Sequence, residues 1–492
     1  RAAEILREIS PAWEVVTSSG VIREYYEFER TSTATVQAYL QPLVARYAAN
    51  LQKRLNDKGF AGETLVMQSN GGLVPLPQLP GRAANIVRSG PAAGVMAAAR
   101  IAADAGFPHV ITGDMGGTSY DVAVLVNGVP RIAETTDLDF RIPLRLPMID
   151  VHTIGAGGGS IAYVDRGGIL QVGPRSAGAV PGPVCFGRGG TEPTVADANA
   201  VLARINADQP IGLKHLASLD IDGARRAIAR LGEQIGLGIE ATAEAILAVV
   251  NQRMAGRTRL LSVERGHDPR DFALVAFGGA GPLHGAAIMR EVGVRTMLLP
   301  PNPGVLCAFG CSIADLRYDL SQTVEQPVAE LDAAWIADVL RGQRKDGEAQ
   351  ILASGIAAES ITVSHYADMA YVGQIHSLRV PIGGDWSRER MVEAFEAVYQ
   401  QEYGNTLGAI PTVVVGLKTA VTGVRSKAPA AAAHAVEAYA AKPDRTRPVH
   451  FGEWLETPVY DRRRLRPGAT FRGPAIVEQA DASSRGVGEQ SV

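Results

Sequence analysis

The chain has 492 residues, 46% hydrophobic and 20% charged, with a net charge of −3. This balance suits a globular protein with several domains and, lacking a basic stripe, excludes nucleic acid as a partner. Three cysteines (Cys185, Cys307, Cys311) exclude a disulfide framework, and the absence of any run of about 18 apolar residues excludes a membrane-spanning helix.

The N-terminal RAAEILREISPAWEV has neither the apolar core nor the cleavage site of a leader, so a cytoplasmic location is expected. It also lacks an initiator Met and reads as the start of a piece of something longer. Residues 31–58 place Val36, Tyr39, Leu40, Leu43, Val44, Tyr47 and Leu51 at helical spacing, which predicts a long amphipathic helix capped by Thr31 or Ser32. TLVMQ (64–68) predicts a short strand ending in the turn Ser69-Asn70-Gly71-Gly72. Gly90-Pro91 introduces a small-residue helix, AAGVMAAARIAADAG, suited to packing closely on a sheet.

From residue 109 the pattern is α/β. HVITGDMGG is an apolar strand running into a glycine turn, and SYDVAVLVNGVPRIA predicts a strand, an Asn-Gly turn and a second strand. Residues 146–165 repeat the passage from strand to glycine loop. Residues 173–193 are so rich in Gly and Pro that an irregular ordered loop or lid is expected. Helices are predicted at about 195–206, 222–236 and 239–257, then a buried strand FALVAF (272–277), a glycine turn and a helix AAIMREV. Cys307 and Cys311, four apart with no His or Asp at metal-site spacing, read as small buried apolar residues. Beyond about 320, residues 360–382 predict two strands, 387–402 a helix and 411–425 a strand, a small α+β domain. KAPAAAAHAVEAYAAK (427–442) reads as a low-complexity linker or weak helix, and 447–478 as short strands and turns.

Four stretches can carry chemistry. In Gly113–Asp121 a strand delivers Asp114 to its end, where Gly116 and Gly117 let backbone N–H groups face an anion and Thr118 and Ser119 add hydroxyls. Asp114 is then placed to hold Mg²⁺ directly or through water. The Lys of a Walker-type loop is absent, and a structural tight turn is the other reading. In Phe277–Gly285, strand, glycines and helix follow one another, but His284 takes the last glycine position of a dinucleotide fingerprint and TMLLPPN brings no acidic residue for a ribose. Nucleoside contact through the backbone of this turn remains open, as do a catalytic and a merely buried His284. Asp150 and His152 share a strand face, where they can bind a metal, move a proton or simply pair; the loop Gly155–Ser160 serves phosphate or substrate, or is a flexible turn. Within 178–197, Arg188 is an anion contact or a solvated side chain. Glu192 and Asp197 polarise water or cap the helix starting near Val195.

Three glycine loops, one followed by a hairpin and one opening a helix, resemble the α/β ATPase fold of actin, sugar kinases and heat-shock chaperones. A closer resemblance is to the hydantoinase A / 5-oxoprolinase family. It rests on EFERTSTATVQAYLQPL (27–43), LVMQSNGG (65–72), RSGPAAGV (88–95), GDMGGTSYDV (113–122), DVHTIGAGGGSIA (150–162), GPRSAGAVPGPVCFGRGGTEPTVADANAVL (173–202), VAFGGAGPLHG (275–285) and MAYVGQIHSLRVP (369–381), and spans about residues 10–480. It implies ATP and Mg²⁺, with a second divalent metal as an option. The implied reaction phosphorylates the carbonyl of a cyclic amide, such as a hydantoin or 5-oxoproline, before ring opening. The alternatives are the subunit of an ATP-dependent ketone carboxylase and a non-catalytic nucleotide-binding or assembly module. A hydantoinase B-like subunit is the implied partner in a hetero-oligomer.

Carried onto this chain, the resemblance puts Asp114, Gly116, Gly117, Thr118 and Ser119 on phosphates and Mg²⁺, and Gly278, Gly279, Gly281 and His284 against the adenosine. Asp150 and His152 lie at the reaction centre as catalytic groups and metal ligands. It divides the chain into a helical and connecting part of the ATPase core (1–108), an actin-like nucleotide-binding domain (109–325), a small α+β domain (326–426) and a linker with a β-rich segment (427–492). The family's first phosphate loop, of Gly-Ile-Asp-x-Gly-Gly-Thr type, does not precede residue 113, so activity is expected only with that domain and a partner supplied. Ala203 stands where relatives often have Gly, and the closing ADASSRGVGEQSV departs from the family's last strand.

Overall fold

The apolar run at residue 110 folds as the middle strand of a sheet in the computed structural model, which describes residues 1–24, 26–138, 141–208, 210, 216, 218–427, 437–486 and 489–491. Two compact units group the chain, each assembled from separated segments: Arg1–Ala93, Ile132–Ile149 and Cys311–Pro429 in the first, and Gly94–Arg131, Asp150–Gly310 and Ala430–Val492 in the second. This grouping cuts across the four contiguous segments expected from the sequence.

In the second unit, strands β1 (Val110–Met115), β2 (Tyr120–Val126), β3 (His152–Ile154), β4 (Ala273–Phe277) and β5 (Thr296–Leu298) lie in the order β3-β2-β1-β4-β5. β1, β2 and β3 are antiparallel neighbours, whereas β4 runs parallel to β1 and β5 to β4. Both features behind the actin-like reading are present: β1 leads into a hairpin, and β4 leads through glycines into a helix. β4 is buried along its whole length, as a continuous apolar run in a parallel pair requires. Helices α1 (Val195–Val201), α2 (Ile221–Ile235), α3 (Ile239–Val263) and α4 (Gly281–Val292) complete the layer, with Ile246, Val250 and Met254 of α3 in one apolar cluster with Ile111, Tyr120 and Val122. α1 stops earlier than the expected residue 206, and Ala203 just beyond it takes a positive φ of 54°. α3 runs six residues past its expected end. The Gly/Pro-rich stretch is regular at its start, because Leu170–Ser176 pairs with Ser160–Val164 in a two-stranded ribbon, where an edge position tolerates Pro174.

In the first unit the strand Thr412–Val424 lies between Leu316–Pro327 and Ser360–Tyr371 in a six-stranded antiparallel-rich sheet. The expected ββαβ order over 360–425 is present, with the helix Arg388–Tyr403 placing Phe395 and Tyr399 on Tyr371. The long helix Glu27–Asp57 starts before Thr31, so neither Thr31 nor Ser32 caps it. Its buried face also differs from expectation: Tyr39, Leu43 and Tyr47 are exposed, and Thr33, Gln37, Val44 and Ala48 face inward. Backbone demand sets that orientation. Gln37 accepts from the Ala84 N–H at 2.9 Å and donates to the Pro80 carbonyl at 2.8 Å, and Thr33 accepts from the Arg145 N–H at 2.9 Å.

Of the cysteines only Cys185 is buried; Cys307 is half-buried and Cys311 exposed. Most of the Ala-rich segment, 428–436, lies outside the described residues. Among the described residues no helix is long and apolar enough to cross a membrane. Near the C-terminus, Ser483–Gly486 closes onto Ala475–Glu478, so the divergent end still supplies a strand.

Candidate functional site

The two glycine turns named from the sequence meet in space. β1 and β4 run parallel and end side by side, with Asp114 in register with Phe277. Gly278, at φ +81°, comes so close that a Cβ there would stand 2.3 Å from Asp114 Oδ1 and 2.5 Å from the Met115 carbonyl oxygen. The turn is tied down by Gly278 N–H donating to Pro303 O at 2.9 Å and Ala280 N–H donating to Met115 O at 3.0 Å. Around the carboxylate the backbone is bare: a Cβ at Gly116, Gly117 or Gly279 would meet nothing within 4 Å. Glycines facing open space at the ends of parallel strands make a surface that an anionic ligand can approach closely.

Asp121 stands directly across the β1–β2 pair from Asp114. Burial and this second carboxylate push the Asp114 pKa up to about 6, against a weak opposing contribution from the Cys307 thiol, which donates to Oδ2 at 3.5 Å. Ser119 and Thr153 donate to Asp121, so Ser119 is spent on the protein; Thr118 is exposed. Facing carboxylates that disfavour ionisation fit a divalent cation. Mg²⁺ takes one or two carboxylates and completes its shell with water and phosphate oxygens, so this pair suffices for it. Among the described residues no group of three His, Cys, Asp or Glu is arranged to hold a metal ion.

The loop Gly155–Ser160 is braced. Gly158 and Gly159 donate to the carbonyls of Gly116 and Gly117 at 3.0 and 2.7 Å, while their own carbonyls accept from Ala196 and Ala177 at 2.7 and 2.9 Å. A Cβ on Gly157 would lie 2.5 Å from Gly117 C and Thr118 N. With these peptide groups used inside the protein, the loop supports the Gly116-Gly117 turn from behind.

Asp150 and His152 share a face as expected, with Asp150 Oδ1 to His152 Nε2 at 3.1 Å. Two guanidinium groups flank them: Arg265 binds Asp150 Oδ2 and lies 3.4 Å from His152 Nε2, and Arg257 binds His152 Nδ1. This corrects two expectations. A metal ion would have to replace guanidinium cations at the very atoms it needs. Although burial raises the Asp150 pKa, the His152 hydrogen bond and Arg265 together hold it below the usual carboxylate range, which makes Asp150 a poor base.

His284 is also corrected. It is 2% exposed on α4, its Nδ1 donates to Asn251 Oδ1 at 2.7 Å and its Nε2 accepts from Asn199 at 3.2 Å. It fastens α1, α3 and α4 together, with both ring nitrogens engaged by asparagine side chains. His284→Ala is therefore expected to cost about 1–3 kcal/mol of stability through the asparagines left unpaired. Nucleotide affinity should be unchanged, as denaturant unfolding and calorimetry on the same sample will show.

Asp197, fully buried, takes N–H groups of Val184, Cys185 and Thr194 and the Thr194 hydroxyl at 2.7–3.2 Å, and closes a capping box for α1. Glu192 pairs with Arg175 at 2.8 Å, and Arg188 is exposed. Asp197 thus serves as the helix cap, and Glu192 is held in an exposed ion pair. Sequence reasoning missed Asp121 and Cys307. The first had a signal, since a hairpin turning at Gly117-Thr118 pairs residues 114 and 121; the second, 193 residues away from Asp114, had none.

A family model described as hydantoinase/oxoprolinase matches residues 30–320, and one for the hydantoinase/oxoprolinase C-terminal domain matches residues 321–484. The chain is 36% identical to caprolactamase subunit alpha of Pseudomonas jessenii over 98% of its own length and 70% of that protein's. It is 31% identical to the acetophenone carboxylase gamma subunit of Aromatoleum aromaticum over 97% of its length and 68% of that protein's. The crystal structure of ATP-dependent caprolactamase from P. jessenii superposes with a TM-score of 0.85 at 33% identity, covering all of this chain and 73% of that one.

Proposed function

The chain belongs to the hydantoinase/oxoprolinase family, and from that premise we propose that it is the nucleotide-binding part of an ATP-dependent subunit that opens a cyclic amide by phosphorylating its carbonyl. The observation that carries this reading is the bare glycine surface around Asp114, where the ends of β1 and β4 meet.

Bound Mg²⁺ would supply charge neutralisation for the phosphates. Asp114, with Asp121 behind it, would hold the ion. The backbone N–H groups of Gly117 and Thr118 would turn toward the phosphates, the Gly116 N–H being held by Ser119 O at 3.1 Å. Gly279 would let the nucleoside lie against main chain, while Gly278 and Gly281 let this turn pack closely on β1. The braced Gly155–Ser160 loop fixes the first of these turns, so little reorganisation is needed when charge builds up. Asp150 and His152, held between Arg257 and Arg265, act as positioning residues that set guanidinium charge beside β3. A subunit related to hydantoinase B is the partner that fits this reading, since the relatives above are named as subunits.

The test is ATP turnover by the chain assembled with such a partner and with a domain carrying the family's first phosphate loop. Hydantoin- or lactam-dependent release of phosphate is the expected result. Turnover that instead requires bicarbonate and a ketone would select the carboxylase reading, which the acetophenone carboxylase relative favours. No nucleotide turnover with any of these would leave a binding or assembly module and overturn the enzymatic reading.

A further inference from the structure

The first unit contains a cavity of about 860 Å³, within the range of small-molecule sites. Most of its interior charges lie against one another. Arg145 pairs with Glu24; Lys418 lies 3.2 Å from Glu24 and 2.8 Å from Asp368 and also binds Glu134, which in turn binds Arg379. Asp319 is held by Arg317 at 3.0 Å and by Asn70 at 2.6 Å. Arg82 rests on Gln350 and on the Tyr318 ring, 5.0 Å from its centroid. Arg23 stands exposed at the rim. A ligand with several negative charges would have to break these pairs, and breaking a buried pair is costly.

Between the ion pairs the wall carries several amides, among them Gln68, Asn70, Gln78, Asn85, Gln343 and Gln350. Some form a frame. Asn70 donates to Asp319 and accepts from the Gly72 N–H at 2.9 Å, while Gln343 donates to Leu417 O at 3.1 Å and accepts from Thr419 at 2.6 Å. Gln78 and Gln350 differ from these. Each is pinned through its carbonyl oxygen alone, by Tyr318 Oη at 2.9 Å and by Arg82 at 2.7 Å. The NH₂ group of each has no hydrogen-bond partner among the described residues. Oriented donors on a charge-balanced wall select for a neutral acceptor.

We propose that this cavity binds an uncharged small molecule bearing an amide or ring carbonyl, with the Gln78 and Gln350 NH₂ groups as donors to it. Taking that molecule as the substrate rests on the reading given under Proposed function; the binding site itself does not.

The experiment is calorimetry on the nucleotide-free chain with ε-caprolactam and hydantoin as uncharged probes and cyclohexanecarboxylate as the charged one. The wild type should bind the uncharged probes. The double variant Gln78→Leu, Gln350→Leu should bind them roughly tenfold or more weakly, as loss of two hydrogen bonds implies. Gln350→Glu, in which the new carboxylate still meets Arg82, should fold normally and also lose affinity. Mg·ATP binding should be unchanged in all of them. The assignment is overturned if uncharged probes fail to bind the wild type, if both variants bind them as well as the wild type does, or if the carboxylate binds more tightly. Because the probes are read without nucleotide, intact Mg·ATP binding beside any of these results leaves the nucleotide reading standing.

Discussion

Asp114→Asn is expected to abolish Mg·ATP-dependent turnover in the assembled enzyme and, in the same protein, to stabilise the nucleotide-free fold. Loss of a carboxylate that holds the metal on transferring phosphates should lower turnover by roughly 10²–10³-fold or more. The gain in stability follows from the raised pKa. A carboxyl whose pKa rises on folding from 3.8 to about 6 favours the folded state when protonated, so its contribution is fully present below 3.8 and is lost as pH climbs through about 6. Above that pH the ionised group costs up to about 3 kcal/mol. Asn carries no charge, so the variant should melt higher than the wild type at pH 8, and the gap should close toward pH 4. Saturating Mg·ATP should reverse the order at pH 8, because the ligand stabilises only the wild type. Proton and cation compete for the same oxygens, so Mg²⁺ affinity of the wild type should fall as pH drops through about 6.

Gly278→Ala should damage both the fold and the site, whereas Gly279→Ala should damage only the site. At Gly278 the backbone is left-handed, which costs a residue with a Cβ about 1–2 kcal/mol. The methyl group would also strike Asp114 Oδ1 and the Met115 carbonyl, an overpacking cost of about 1–3 kcal/mol. Urea unfolding should therefore show a loss of about 2–5 kcal/mol in the transition of the second unit, and Asp114 should be displaced enough to weaken nucleotide binding. A Cβ at Gly279 would meet nothing within 4 Å, and its backbone is not left-handed, so alanine there should leave the unfolding midpoint in place. If nucleotide occupies that open space, its affinity falls. Unchanged affinity in a stable Gly279→Ala protein would place the nucleotide elsewhere.

Most of the second unit was legible because its signals are local. The apolar run before Asp114 and the hairpin after it are each written within about ten residues and appear where expected, and the helix expected over AAIMREV is present but starts five residues earlier, at Gly281. What failed depended on long-range partners. Nothing near His284 in sequence announces Asn199 and Asn251, which consume both ring nitrogens. Arg257 and Arg265 sit more than 100 residues from His152 and Asp150, so a pair that looked like a metal or proton site is in fact wrapped in positive charge. The long N-terminal helix misled for a related reason. Its apolar spacing was real, but hydrogen bonds that Thr33 and Gln37 accept from distant backbone N–H groups fixed which face turns inward. The discontinuous grouping of segments has the same origin, since Glu24, Glu134 and Lys418 are brought together only by the fold.

The most direct test of the central claim is calorimetric titration of the chain with Mg·ATP at pH 8, beside Asp114→Asn and Gly279→Ala. Saturable binding by the wild type, lost in Asp114→Asn and weakened in Gly279→Ala with both variants folded, is the predicted result. Binding that is the same in all three would contradict the placement of the nucleotide at the ends of β1 and β4.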